Sequence, residues 1–171
     1  MAYPIPLNQL AKDAVLALLN RDNKTNLTFE QISFSLPMVT PTGLKRNTKI
    51  TVSAISGNRL KGSVAMHYNR ILLNDYFVVD PLPLSILDVT TTWELIPHLN
   101  NQFDLVLTPD DIIQEPIIDN DVTIRASSHS YAWIGSVNVV LGATPLPVGT
   151  FLDVGGGALF GVDTMVLLDI G

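Results

Sequence analysis

Residues 48–72, TKITVSAISGNRLKGSVAMHYNRIL, decide the fold class, because they contain two strand patterns separated by a turn. Apolar residues alternate with polar ones over residues 48–55, which is typical of a strand with one buried face. The alternating apolar residues are Ile50, Val52 and Ala54. Residues 63–72 predict the second strand, and turn-forming residues lie between the two: Gly57, Asn58 and Gly62. The stretch therefore predicts a β-hairpin.

Two helices and several short strands are expected around this hairpin. Leu10, Ala14 and Leu18 recur at helical spacing and predict an amphipathic helix over residues 8–22. A second helix is predicted over residues 93–103, where Glu94 follows Thr91 at capping-box spacing. The other segments predict short strands at 105–107, 122–127 and 132–141, a helical turn at 109–113, and two strands joined by a glycine loop within 148–171. The predicted fold class is α+β, β-rich with two short helices.

The two halves of the chain share a sequence pattern. A shift of 80 residues places Leu19-Asn20 on Leu99-Asn100 and Leu27-Thr28 on Leu107-Thr108, without a gap. With a changed offset, residues 62–64 (GSV) then match residues 135–137 (GSV). These matches favour an internal duplication in which each half is a helix, a short strand and a hairpin. They leave open whether the halves form one compact domain or two similar subdomains.

Composition excludes several classes of protein. The chain has 171 residues, of which 47% are hydrophobic and only 15% charged, so it can bury a core and is not a disordered chain. Ser, Thr, Asn, Gly and Pro interrupt its uncharged stretches, so no membrane span is expected. The first ten residues lack the basic and apolar regions of a signal peptide, so synthesis in a cytoplasm is expected. Without cysteine, disulfides, thiolate nucleophiles and cysteine-ligated metals are excluded.

Charge divides the chain into a basic part and an acidic part. Residues 1–74 hold nine basic and three acidic residues, a net charge of +6, and form the predicted basic half. Residues 75–171 hold one basic and thirteen acidic residues, a net charge of −12, and form the predicted acidic half with glycine-rich terminal strands. The opposite charges could attract within one fold, or between the basic half of one copy and the acidic half of the next. A nucleic-acid partner is not expected, because the acidic half would repel phosphate.

Three stretches resemble virion structural proteins of large, jumbo-type tailed bacteriophages. They are NTKITVSAISGNRLKGSVAMHYNRILL, TTWELIPHLNNQFDLVLTPDDIIQEPI and SHSYAWIGSVNVVLG, and the resemblance covers about residues 19–73 and 93–142. The resemblance implies a particle component, located in the tail, baseplate, neck or capsid surface, and it brings no catalytic residues. The expected partners are copies of the chain and other virion proteins, with no membrane, no cofactor and no enzymatic activity.

Assembly of such a subunit would use low-charge faces for burial and opposite charges for register. The predicted interface residues are basic, acidic and aromatic: Lys45, Arg46, Lys49, Arg59, Lys61, Asp110, Asp111, Glu115, Asp119, Asp121, Tyr131 and Trp133. The acidic members could alternatively supply oxygen ligands to Ca²⁺, but they lack the glycine-centred loop of an EF-hand. A solvated acidic edge, or a patch for basic residues of a neighbour, is the favoured interpretation.

Other candidate chemistries have weaker patterns. His67, His98 and His129 lack the spacing of a metal site. Ser127, Ser128 and Ser130 flank His129, but the G-x-S-x-G elbow of a serine hydrolase is absent. The Asp153–Gly157 segment contains three glycines without the lysine of a phosphate-binding loop, which favours a turn.

The aromatic pair Tyr131 and Trp133 gives the alternative function. On a strand, residues two apart share a face, so this pair could form a sugar-stacking platform of a host-surface carbohydrate-binding module. A position in the core or at an interface is the favoured interpretation, and the same holds for Trp93.

Overall fold

The computed structural model of the chain describes residues 7–40, 45–57, 60–77 and 79–142, together with the backbone of two short strands at 152–153 and 159–160. The fold is α+β and strand-rich, as predicted. Its helices are α1 (Ala11–Asn23), α2 (Leu73–Tyr76), a 3₁₀ turn (Thr92–Leu95) and α3 (Ile96–Phe103). Its strands are β1 (Ile32–Phe34), β2 (Met38–Val39), β3 (Thr48–Ala54), β4 (Ser63–Tyr68), β5 (Ile71–Leu72), β6 (Leu82–Leu84), β7 (Asp121–Arg125), β8 (Trp133–Ile134), β9 (Ser136–Leu141), β10 (Leu152–Asp153) and β11 (Leu159–Phe160).

The first repeat, residues 11–68, packs α1 against an antiparallel sheet. Strand β3 has β4 on one side and both β1 and β2 on the other. The predicted hairpin is therefore present as β3 and β4. Its apolar positions and one face of α1 form a small core of Val15, Leu19, Ile32, Ile50, Val52 and Tyr68.

In the second repeat, residues 92–141, α3 packs against a sheet in the order β6-β9-β7, in which β6 comes from the segment before the repeat. Strands β7 and β9 are antiparallel, while β6 lies parallel to β9 and supplies the edge. Pro83 in β6 is consistent with this position, since proline is confined to edge strands. Gly135, at φ 77°, separates β8 from β9 and so interrupts the strand predicted over 132–141.

The loops after α1 and α3 have the same structure, held by one asparagine each. The Asn20 side chain accepts a hydrogen bond from the Leu27 N–H (2.8 Å) and donates one to the Leu27 carbonyl (2.9 Å). Asn100 makes the same two bonds with Leu107, at 2.7 and 2.9 Å. Both helices also end on a residue in the left-handed conformation, and those residues, Lys24 and Asp104, are again 80 apart.

The hairpins of the two repeats pair in the same register. Val52 lies opposite Val64 in the first, and Ile124 lies opposite Val137 in the second. The offsets of 72 residues between β3 and β7 and 73 between β4 and β9 hold along both ladders. The structure thus confirms two similar helix-plus-hairpin units.

The two repeats are joined by backbone pairing and by the buried side chain of Arg70. Strand β5 pairs in parallel with β8, and Leu73 belongs to the larger core, which is built mainly from the second repeat. The junction therefore falls near Arg70, slightly before the charge boundary at Asn74. Tyr131 packs against both cores.

Several local predictions require correction. Residues 105–107 form no strand, because the Asn100 side chain occupies the backbone groups of Leu107 that a neighbouring strand would have bonded. The helical turn predicted over residues 109–113 is instead a turn at 109–111 followed by a β-bridge between Ile112 and Ala126. The first helix begins at Ala11 rather than at residue 8. Strands β10 and β11 pair antiparallel, as expected of the glycine-rich end, while the predicted glycine loop at 155–157 lies outside the described residues.

Candidate functional site

The predicted basic residues lie on the first repeat and are mostly exposed. Lys45 and Arg46 precede β3, Lys49 is half-buried on β3, and Lys61 precedes β4. Arg59 lies outside the described residues. None of the first four makes an ion pair with any residue that the structure describes.

The predicted acidic residues separate into three environments. Asp110, Asp119 and Asp121 are exposed. Glu115 is paired with Arg125 at 2.6 Å, within the second repeat. Asp111 is only 2% exposed, and its prediction as an interface residue is wrong.

Asp111 is buried because its carboxylate is saturated by hydrogen bonds inside the second repeat. One oxygen accepts from the Ser130 hydroxyl at 2.6 Å, and the other accepts from the N–H and hydroxyl of Thr108 at 3.0 and 2.8 Å. A buried carboxylate is tolerated when its lone pairs are filled in this way. Asp111 therefore fixes the turn after residue 107 and is not accessible to a partner.

Opposite charges occupy equivalent positions of the two repeats. Lys49 on β3 corresponds to Asp121 on β7, because both lie at the same place in the shared register. Lys24 and Asp104, the left-handed residues at the helix ends, form a second such pair. This arrangement was missed from the sequence, although the offset of 80 residues already relates Lys24 to Asp104.

The charges of the two repeats do not hold the repeats together. Among the described residues the ion pairs are Arg21–Asp22 and Arg125–Glu115, and each lies within one half. The junction consists instead of hydrogen bonds to backbone carbonyls. Tyr68 donates its hydroxyl to the carbonyl of Tyr131 at 2.8 Å.

Arg70 is the charged group of the junction, and it is buried with no carboxylate partner in the described part of the chain. Its Nε donates to the Thr48 hydroxyl at 2.9 Å, and its Nη1 donates to the Ser130 carbonyl at 3.0 Å. Burial lowers the pKa of Arg70, partly offset by Tyr68. Burial also raises the pKa of Tyr68 well above its usual value, partly offset by the Arg70 charge. The junction thus favours a neutral phenol beside a charged guanidinium.

The aromatic pair predicted as a platform is not exposed as a pair. Trp133 is 2% exposed, in edge-to-face contact with Tyr76 at a centroid distance of 5.3 Å. Tyr131 is half-buried, and its hydroxyl donates to the Ser35 carbonyl at 3.1 Å. The chain bends at residue 131 and enters β8 only at Trp133, so the side chains do not share one strand face. The carbohydrate-binding alternative therefore lacks its platform, and Trp133 is a core residue rather than an interface residue.

Trp93 has a structural role as well. It is 38% exposed, and its indole N–H donates to the Ile112 carbonyl at 2.8 Å. This bond ties the start of the second helical segment to the turn that contains Asp111.

The candidate catalytic and metal-binding residues do not converge. His67 lies on β4, His98 on α3 and His129 in an exposed bend. The Ser130 hydroxyl proton points to Asp111 rather than to a histidine. In the part of the chain that the structure describes, no three His, Asp or Glu side chains cluster to hold a metal ion.

Comparisons with known proteins identify a family but not a function. Among the described residues, no helix is long and apolar enough to cross a membrane. No curated protein and no solved structure matches the chain. The model of a family of unknown function, DUF7941, matches residues 4–150, and the chain therefore belongs to that family.

Proposed function

We propose that this chain is a nonenzymatic structural subunit of a tailed-bacteriophage particle, packed against copies of itself and other virion proteins. The resemblance of residues 19–73 and 93–142 to jumbo-phage virion proteins supports the particle as the location. The surface of the two repeats supports assembly as the mechanism.

One observation carries the proposal: Lys49 and Asp121 occupy the same place on the two repeats, carry opposite charge, and have no ion-pair partner among the described residues. The first repeat of one copy would contact the second repeat of the next. Such a head-to-tail contact uses two different surfaces and generates a ring or a stack. Opposite charges at the contact favour the correct partner and register.

The surroundings of Asp121 suit a lysine from a neighbour. Asp121 lines an open surface hollow of about 280 Å³ together with Pro81, Thr123 and Asn138. The hollow lies on β7 and β9, which pair with each other. A lysine has a flexible stem and a compact ammonium group, so Lys49 of the next copy could reach this carboxylate.

Complementary charge reversal tests the proposal. One variant carries Lys45→Glu, Arg46→Glu and Lys49→Glu, and the other carries Asp110→Lys, Asp119→Lys and Asp121→Lys. Each variant alone would place like charges at every contact and should fail to associate in sedimentation velocity at low salt. An equimolar mixture restores opposite charges at every contact and should associate.

The mixture also serves as the folding control, because it contains only the two variant proteins. Within particles, the first variant should be incorporated far less than the unaltered chain, as measured by mass spectrometry of purified virions. Incorporation at the unaltered level, or no rescue in the mixture of folded variants, would refute the proposal.

A further inference from the structure

Arg70 uses only part of its hydrogen-bonding capacity at the junction of the two repeats. A guanidinium carries five N–H donors in one plane, on Nε, Nη1 and Nη2. Nε donates to the Thr48 hydroxyl, and Nη1 donates to the carbonyls of Ser130 at 3.0 Å and Ser128 at 3.4 Å. The two N–H groups of Nη2 donate to no residue that the structure describes. Three of the five donors are therefore used, and two remain available to a ligand.

The available nitrogen reaches the surface, although the side chain as a whole is buried. Arg70 is only 5% exposed. Among the described residues, every fully buried side-chain nitrogen or oxygen has a hydrogen-bond partner. Since Nη2 has no such partner, it is not fully buried, and it contacts solvent through the small exposed part of the residue.

The charge of Arg70 also lacks a partner within the described part of the chain. The groups bonded to its guanidinium are a hydroxyl and two backbone carbonyls, which are neutral dipoles. Asp111 joins the same network through the Ser130 hydroxyl, but its oxygens are filled by Ser130 and Thr108, and it makes no ion pair with Arg70. A buried charge is usually paired with an opposite charge. The guanidinium therefore retains an attraction for an anion.

The chain segments on both sides of the guanidinium contain no acidic residue. Residues 31–74 have no Asp or Glu and six basic residues: Lys45, Arg46, Lys49, Arg59, Lys61 and Arg70. Directly after the first two of these, the Asn47 side chain bonds to the backbone N–H and carbonyl of Arg70 at 2.8 and 2.9 Å. The turn on the other side, residues 127–130, reads Ser-Ser-His-Ser. This distribution of charge favours an anion over a cation at the opening.

We infer that Nη2 of Arg70 is the centre of an oxyanion-binding site at the junction and that its ligand is a carboxylate group. A bidentate pair needs two adjacent guanidinium nitrogens, and both neighbours of Nη2 are already occupied by Thr48 and Ser130. The ligand would therefore accept through one oxygen from Nη2 alone. A small planar carboxylate suits this restricted opening better than a tetrahedral phosphate.

Two sources can supply such a carboxylate: a free carboxylate ion, or an acidic side chain of a neighbouring copy. The inference does not rest on the proposed function, because a dilute monomer would bind the free ion without any assembly.

Side-chain ¹⁵N–¹H NMR spectra of the dilute full-length protein test the site directly. Sodium acetate is the titrant near neutral pH, and it replaces sodium chloride so that the ionic strength stays constant. The Arg70 signals should shift and saturate at an acetate concentration about tenfold below the one that shifts Arg46, because attraction is stronger at a buried charge than in water. Arg46 is the internal control, since it is exposed and has no ion pair in the described part of the chain.

Replacing Arg70 by lysine gives a second readout. Arg70→Lys keeps the positive charge but removes Nη2. In the unaltered chain, acetate at about ten times its Kd should raise the thermal midpoint by about 3–6 °C over the same concentration of chloride. This difference should disappear in Arg70→Lys and persist in the matched control Arg46→Lys. Should Arg70→Lys fail to fold, the NMR titration of the unaltered chain still decides the question.

A protein dilution series without acetate distinguishes the two sources. Arg70 signals that shift as the protein concentration rises, and no longer do so in the variant with Asp110→Lys, Asp119→Lys and Asp121→Lys, would assign the ligand to a neighbouring copy. Signals that shift with acetate alone would assign it to a free carboxylate ion. Arg70 signals that stay unmoved in both series, or that move only together with those of Arg46, would overturn the inference.

Discussion

Replacing Asn100 by alanine should destabilise the protein more than the same replacement of Asn20. Each asparagine makes two hydrogen bonds to the backbone of a leucine seven residues later, at 2.7–2.9 Å. The surroundings differ, because Leu107 is buried whereas Leu27 is half-buried. Internal duplication thus provides a matched pair of sites within one chain.

The magnitude follows from what is left without a partner. A net hydrogen bond contributes about 1 kcal/mol, and a buried group left unsatisfied costs about 1–3 kcal/mol. Asn100→Ala leaves the N–H and the carbonyl of the buried Leu107 without their side-chain partner. We therefore expect the free energy of unfolding to fall by about 2–4 kcal/mol. Water can bond to the backbone groups of the half-buried Leu27 in place of the asparagine, so we expect Asn20→Ala to lower the free energy of unfolding by only about 1–2 kcal/mol.

Thermal and urea unfolding followed by circular dichroism measure this difference. For a chain of this size, a loss of 1 kcal/mol in the free energy of unfolding lowers the thermal midpoint by about 2–4 °C, so Asn100→Ala should lower the midpoint by about 4–16 °C. Asn100→Asp keeps the acceptor but loses the donor and should fall between the wild type and alanine. Equal losses at both sites, or losses under about 0.5 kcal/mol, would refute the role given to these side chains.

Three further changes test other parts of the structure. Arg70→Met should cost about 3 kcal/mol or more in urea unfolding, because it leaves buried acceptors of the junction unpaired; an unchanged midpoint would contradict the buried network. Because burial raises the pKa of Tyr68, the folded state keeps a proton that the unfolded state releases near pH 10, so stability should fall as pH rises above about 10; an equal fall in the stability of Tyr68→Phe over the same pH range would contradict it. Trp133→Ala should cost about 3–5 kcal/mol and leave glycan-array signals unchanged, whereas a lost glycan signal with unchanged stability would restore the carbohydrate-binding alternative.

Features that depend on local pattern could be predicted from the sequence. The alternation of Ile50, Val52 and Ala54 gave the central strand, and the spacing of Leu10, Ala14 and Leu18 gave the first helix within a few residues. The recurrence of Leu-Asn at 19–20 and 99–100 indicated two similar units, which the shared strand registers confirm.

Features that depend on contacts distant in sequence could not be predicted. The apolar residues 105–107 were predicted to form a strand, because nothing in their spacing shows that the Asn100 side chain takes the place of a strand partner. Asp111 was predicted to be exposed, because its hydrogen-bond partner Ser130 lies 19 residues away in the sequence and no local pattern connects the two. Trp133 was predicted to share a strand face with Tyr131, because the bend at residue 131, which breaks the alternation of side chains along a strand, has no strong local signal.

The central claim is that copies of this chain contact one another through the basic first repeat and the acidic second repeat. The most direct measurement is carbodiimide cross-linking of an equimolar mixture of ¹⁴N- and ¹⁵N-labelled protein, which joins amines to carboxylates in contact and separates links between copies from links within one. The account predicts mixed-isotope links from Lys45 or Lys49 to Asp119 or Asp121. Links from these lysines that are confined to single-isotope chains would contradict it.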